Sequence, residues 1–176
     1  MADETHPPLD PGTRQLLRHT LATLAYRAGK VLRDVPADFA TFRPSAGSRS
    51  ALEILSHMGD LMGWGEHLAR GEYKWDPGVD ADWPAARERF FAGLAGVDTA
   101  LAEPSLAPFP AGTIFQGPIA DALTHTGQLA LMRGLAGHPV RPESYARAAI
   151  EAGRVGPEQA APGREFDGDA SRPRRA

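Results

Sequence analysis

The chain has 176 residues, with 19 Gly, 16 Pro, no Cys and a formal net charge of −3. That length supports one domain with a hydrophobic core rather than two, and the lack of cysteine excludes disulfide frameworks, thiolate metal sites and cysteine nucleophiles. The mild acidity gives no basic footprint for nucleic acid, and no apolar run approaches the roughly 18 residues that a membrane-spanning helix needs.

Met1 to Pro8 shows neither the basic start nor the apolar run of a signal peptide, so a cytoplasmic protein with a flexible N-terminus over 1–9 is expected. Asp10-Pro11-Gly12 has the form of a helix start, and Leu17, Leu21, Leu24, Ala28 and Val31 continue at helical spacing to about Leu32. After a loop from Pro36 to Ser48, Ser50-Ala51-Leu52-Glu53 reads as a capping box that opens a second helix reaching about Gly71. A loop of Gly, Pro, Asp and Trp then leads to Pro84 and a third helix, Ala85 to about Glu103, with Phe90, Leu94, Val97 and Leu101 on one face. Pro104 to Gly117 reads as a connection, and Pro118 as the first residue of a fourth helix that ends near Ala136, where Gly137 and Pro139 stop it.

A further short helix is expected within 142–152, and from Gly153 to Ala176 the composition predicts a disordered tail whose arginine-rich end is solvated. No strand pattern or repeat stands out. The expected fold is therefore all-α: an up-down-type four-helix bundle over 10–152 with a short additional C-terminal helix.

Two histidines fall on apolar helix faces. His57 shares its face with Ile54, Leu61, Trp64 and Leu68, and on helix four Asp121, His125, Gln128 and Met132 form one partly polar stripe. Polar groups directed at a core need a partner. His57, Asp121 and His125 make a set of two imidazoles and one carboxylate, suited to zinc, nickel, iron or manganese and leaving coordination positions open. Asp121 has a competing explanation, because an acid in the first turn of a helix is favoured by the macrodipole without any metal. Gln128 reads as a residue that orients a ligand or packs the helix, Met132 as core, and Asp60 as able to orient His57 or to face solvent. Trp64, with Trp75 and Trp83, lines an entrance or packs the core. The chain lacks H-E-x-x-H, the Glu-x-x-His pair of di-iron bundles, the phosphate-binding G-x-x-x-x-G-K-[ST] loop and the G-x-S-x-G elbow.

Leu55-Ser56-His57-Met58 and His125-Thr126-Gly127-Gln128-Leu129, in this order and spacing, resemble the helix-two histidine segment and the helix-four His-Arg-Gly-Gln-Leu segment of the DinB-like (YfiT-type) metalloenzyme superfamily. These are the damage-inducible four-helix proteins and not the lesion-bypass polymerase of the same name. The resemblance covers roughly residues 13 to 150. It implies a four-helix bundle, often a homodimer, with a divalent metal on three histidines. His57 and His125 match two of them, Asp121 stands where the third would be, and Thr126 replaces the family's arginine. It also implies a small-molecule substrate, with a low-molecular-weight thiol among the candidates. The expected function is a metal-dependent hydrolase or transferase that activates water or an external thiol. The alternative is a non-catalytic stress-response or binding module with a degenerate site, its three groups joined as an ion-pair network.

Overall fold

The computed structural model describes residues 7–166. Four long helical segments form the bundle: α1 (Pro11–Leu32), α2 (Ala51–Ala69), α3 (Trp83–Ala102), and a fourth made of α4 (Ala111–Ile114), a π-helical turn (Phe115–Ile119) and α5 (Ala120–Leu135). No strand occurs among the described residues; one isolated bridge pairs Glu143 with Glu165. The all-α bundle expected from the periodicity is the observed fold. No helix is long and apolar enough to cross a membrane among the described residues.

The helix starts follow from local chemistry. Asp10 accepts from Thr13 N at 3.0 Å, Asp82 from Ala85 N at 2.9 Å, and Ser50 and Glu53 close a reciprocal capping box at 3.2 and 2.8 Å, so α1, α2 and α3 each have free N–H groups satisfied by a side chain. Two helix ends are closed from a distance. Buried Arg14 donates to the carbonyls of Leu101, Glu103 and Leu106 at 3.0, 2.9 and 2.8 Å, which fixes the end of α3 against α1. Buried Arg133 does the same for α1, donating to Val31 and Arg33 carbonyls at 2.9 Å. These contacts set helix register in a way that burial alone does not, because each consumes orphan carbonyls at one defined place. Between them lies a core that includes Leu21, Leu24, Leu55, Met58, Met62, Phe90, Leu94 and Ile114, all fully buried.

Three expectations are revised. The fourth helix begins before Pro118, at Ala111, and Pro118 lies inside the π-helical turn. Proline removes an N–H and crowds the carbonyl four residues earlier. The wider turn accommodates both: the Ala120 N–H reaches the Phe115 carbonyl, five residues back. The additional C-terminal helix is a single 3-10 turn, Tyr145–Arg147. The third revision concerns the segment from Gly153, which lies against the bundle as far as it is described. Val155 is buried, Ser144 N donates to the Arg164 carbonyl at 3.1 Å, and Phe166 N donates to the Pro142 carbonyl at 2.8 Å.

This strap is held by a charged cluster that composition does not announce. Lys30 of α1 donates to Glu143 at 2.8 Å and contacts Glu165 at 2.6 Å. Tyr26 donates its hydroxyl to Glu143 at 2.6 Å. Burial, followed by the Glu143 contact, holds the Tyr26 hydroxyl protonated well beyond the ordinary phenol range. Most of the residues expected to be a flexible N-terminus, and the basic end at Arg172 to Arg175, lie outside the described residues. Leu9, which is described, accepts from Arg14 Nε at 3.1 Å.

Candidate metal centre

The revised start of the fourth helix changes the standing of Asp121. An acid in a free first turn needs no further explanation, but the helical rod here starts ten residues earlier and the Ala120 N–H is already bonded. The helix-start explanation therefore loses its physical basis, and the carboxylate stands one turn before His125 on the inner edge of α5.

His57, Asp121 and His125 converge, with one donor atom of each lying within 4.8 Å of the others. His57 Nε2 is 3.6 Å from Asp121 Oδ2, and His125 Nε2 is 3.3 Å from Asp121 Oδ1. The two rings meet edge to face with centroids 5.1 Å apart. Zinc–nitrogen bonds of about 2.0–2.1 Å in a tetrahedron place neighbouring ligand atoms about 3.3–3.4 Å apart; the His125 separation falls in that range, and the His57 separation, to the other carboxylate oxygen, is a little longer. The three side chains are graded in exposure, 11% for His125, 22% for His57 and 45% for Asp121, which leaves the cluster open to solvent on the carboxylate side.

Gln128 sets the orientation of His125. Its Oε1 lies 2.7 Å from His125 Nδ1. An amide oxygen only accepts, so Nδ1 carries the hydrogen, and in the neutral form of the ring the Nε2 lone pair then faces Asp121. A lone pair directed at a carboxylate is unfavourable until a proton or a metal ion lies between them. On His57, burial, then the proximity of His125, then Arg49 depress the imidazole's pKa; the weaker opposing pull of Asp121 and Asp60 does not reverse this. Its ligand form is thus favoured over the imidazolium.

The surrounding residues divide differently from the sequence expectation. Asp60 approaches His57 Nδ1 only to 3.9 Å, beyond hydrogen-bond range. Its stronger contacts are Arg89 Nη1 at 2.7 Å and Gly78 N at 2.8 Å. Arg89 also pairs with Asp80 at 2.7 Å and donates to the Ser56 carbonyl at 2.7 Å, while Ser56 donates to Asp80 at 2.6 Å. This network pins the loop between α2 and α3, and that loop carries Trp75 onto His57, with ring centroids 6.0 Å apart. Trp75 packs edge to face on Trp64 at 5.9 Å, and Trp64 on Tyr73 at 6.1 Å, forming an aromatic wall beside the cluster. Trp83 lies elsewhere, buried against Phe39 and donating to the Leu32 carbonyl at 3.3 Å.

Met132 is buried and, with Gln128 and His125, lines a cleft of about 420 Å³. Thr126 is buried and donates to the Ala122 carbonyl at 2.8 Å, a contact within its own helix. Sequence reasoning missed Ser56, Asp80 and Arg89. The only hint was Ser56 beside His57, because partners 24 and 33 residues apart leave no periodic trace.

The fold and the donor set together define a helical bundle with a His-Asp-His cluster able to hold a metal ion. Comparison with protein-family models, with curated proteins and with solved structures gives no match.

Proposed function

We propose that this protein is a divalent-metal-dependent enzyme whose His57, Asp121 and His125 hold the ion, with zinc or nickel fitting best and manganese or iron also compatible. One observation carries the reading: three donor atoms converge, with His125 Nε2 turned toward a carboxylate that has no helix-start role. The resemblance of the His57 and His125 segments to those of the DinB-like superfamily supports it, and on that resemblance we read the cluster as an aspartate variant of the superfamily's three-histidine site.

A bound ion would supply Lewis-acid activation, lowering the pKa of a coordinated water or thiol and so producing a nucleophile near neutral pH. The chain's own part is positional. Gln128 keeps Nε2 of His125 available, the Arg89 network keeps Trp75 over His57, and the open Asp121 side admits substrate. The chain contains no cysteine, so thiol chemistry uses an external thiol. Hydrolysis and thiol-dependent group transfer are the reaction classes this arrangement serves.

The non-catalytic alternative requires a protonated imidazole bridging to Asp121. The depressed pKa of His57 and its 3.6 Å separation from the carboxylate argue against His57 as that bridge, which leaves His125, 3.3 Å from Asp121, as the imidazole on which the alternative rests. Metal analysis of untagged protein is the test: about one ion per chain in the wild type, lost in Asp121→Ala and His125→Ala. A protein that is empty and gains no thermal stability from zinc, nickel or manganese overturns the proposal, since a native-state ligand at 100 times its Kd stabilises by about 2.7 kcal/mol.

A further inference from the structure

Arg49 ends the loop that precedes α2, and the contacts that fix this loop leave its own guanidinium unused. Arg43 donates to the Ser48 carbonyl at 2.6 Å and to Glu53 at 2.7 Å. Ser45 N donates to Ser48 Oγ at 3.0 Å, and the Ser50–Glu53 capping box follows directly. Arg18, Arg43, Arg70, Arg89 and Arg154 each pair with a carboxylate. Among the described residues no carboxylate lies within ion-pair distance of Arg49, although its charge reaches His57.

The guanidinium belongs to the same cleft of about 420 Å³ that reaches His125 and Gln128. Its remaining lining is largely apolar: Pro44, Ile54, Leu131 and Met132. Leu131 is 65% exposed there, so apolar surface stands open to solvent beside an unpaired cation. A planar guanidinium is the side chain best shaped for two parallel hydrogen bonds to a carboxylate. Charge balance points the same way. Two neutral imidazoles and one carboxylate on a divalent ion leave a single net positive charge, and Arg49 adds another with no protein anion to offset it.

We propose that this cleft binds a small amphipathic monoanion, its carboxylate on Arg49 and its apolar body over Ile54, Leu131 and Met132, with His125 alongside. The assignment rests on the metal-enzyme reading for where reaction occurs and for the charge balance, and on Arg49 and the apolar cleft for binding. Arg49 is then the residue that selects substrate charge.

Hexanoate, 1-hexanol and hexylammonium are suitable probes. The full chain is titrated with each by calorimetry and by methyl and amide NMR, first metal-free in chelator and then with one equivalent of zinc. In the metal-free protein no ion competes for the carboxylate, so a failure of the metal site, read separately from zinc stoichiometry, does not mask the result. Hexanoate is expected to bind saturably and in preference to the other two, shifting signals of Ile54, Leu131 and Met132. Arg49→Ala should weaken hexanoate tenfold or more and leave hexanol unchanged, while Arg49→Lys recovers part of the loss; circular dichroism confirms that each variant is folded. No saturable hexanoate binding, equal affinity for hexanol, or an Arg49→Ala variant that binds hexanoate like the wild type would overturn the proposal.

Discussion

Gln128 and His125, three residues apart on α5, meet at 2.7 Å, and this contact decides which imidazole nitrogen faces Asp121. Partners that orient a ligating histidine typically account for about 10–100-fold in metal affinity. Gln128→Ala should therefore weaken zinc binding by about that factor with helix content unchanged, because Gln128 is exposed and packs little. Gln128→Glu keeps an acceptor in place and should bind zinc at least as well as the wild type. Calorimetric titration of the three proteins checks this, and equal affinity for Gln128→Ala and wild type would show that His125 does not depend on the contact.

The π-helical turn sits directly under the aromatic wall. A Cβ on Gly117 would lie 2.9 Å from Trp64 Cη2 and 3.0 Å from Cζ3, whereas one on Gly127 would meet nothing within 4 Å. Both residues are in the same helical segment, so the pair separates crowding from helix propensity. Gly117→Ala should cost about 1–3 kcal/mol, as overpacking does, and should alter tryptophan emission by displacing the Trp64 indole toward Trp75. Gly127→Ala should be neutral or stabilising by up to about 1 kcal/mol. Urea unfolding followed by fluorescence measures both effects.

The Arg89 network gives the α2–α3 loop a pH signature. The Arg89 guanidinium, helped by the Ser56 hydroxyl and opposed by burial, holds the Asp80 carboxyl below its ordinary value. A depressed folded pKa means that the unfolded chain binds the proton first. Asp80 thus contributes stability that is present above about pH 4 and is lost as pH falls through the lower folded value. Asp80→Asn should lower stability at pH 7 and flatten the acid limb below pH 4. With Arg89 32% exposed, solvent screening keeps the loss near about 1–2 kcal/mol. An acid limb in Asp80→Asn as steep as the wild type's would place the titration elsewhere.

The helices and the metal-capable residues were legible in the sequence because their signals are local. The caps at Asp10 and Ser50 and the apolar spacing after them lie within a turn or two of the helices they define, and His57, Asp121 and His125 stand out as polar groups on apolar stripes. Pro118 misled because a proline at a first helical position and a proline inside a π-helical turn have the same local sequence; only Gly65 and Trp64, packed against that turn from α2, distinguish them. Arg49, Asp80 and Arg89 were invisible for another reason. They are charged residues in loops or on a polar helix face, and their significance comes from partners, or the lack of one, across the fold.

The strap over 153–166 was read as disordered because its composition buries little, and it is tied to α1 instead through Lys30, which contacts Glu165 of the strap and forms a buried pair with Glu143, the residue bridged to Glu165. Lys30 and Glu143 side chains are 6% and 0% exposed. Removing one member leaves the other charged in a desolvated place, which costs about 3–5 kcal/mol, whereas replacing both with apolar groups of similar size can be neutral. Lys30→Met should accordingly destabilise by about that amount, and because Lys30 also contacts Glu165 at 2.6 Å, it should expose the strap to limited proteolysis before the bundle unfolds. Lys30→Met combined with Glu143→Leu should recover much of the global stability. It should not restore protection of the strap near Glu165, since that carboxylate keeps only the longer Arg141 contact at 3.7 Å in place of Lys30 at 2.6 Å. A double-mutant cycle read by urea unfolding, with mass spectrometry of the first cleavage products, separates the two effects. If Lys30→Met leaves residues 153–166 as protected as in the wild type, the strap is held by Val155 and its backbone contacts rather than by charge.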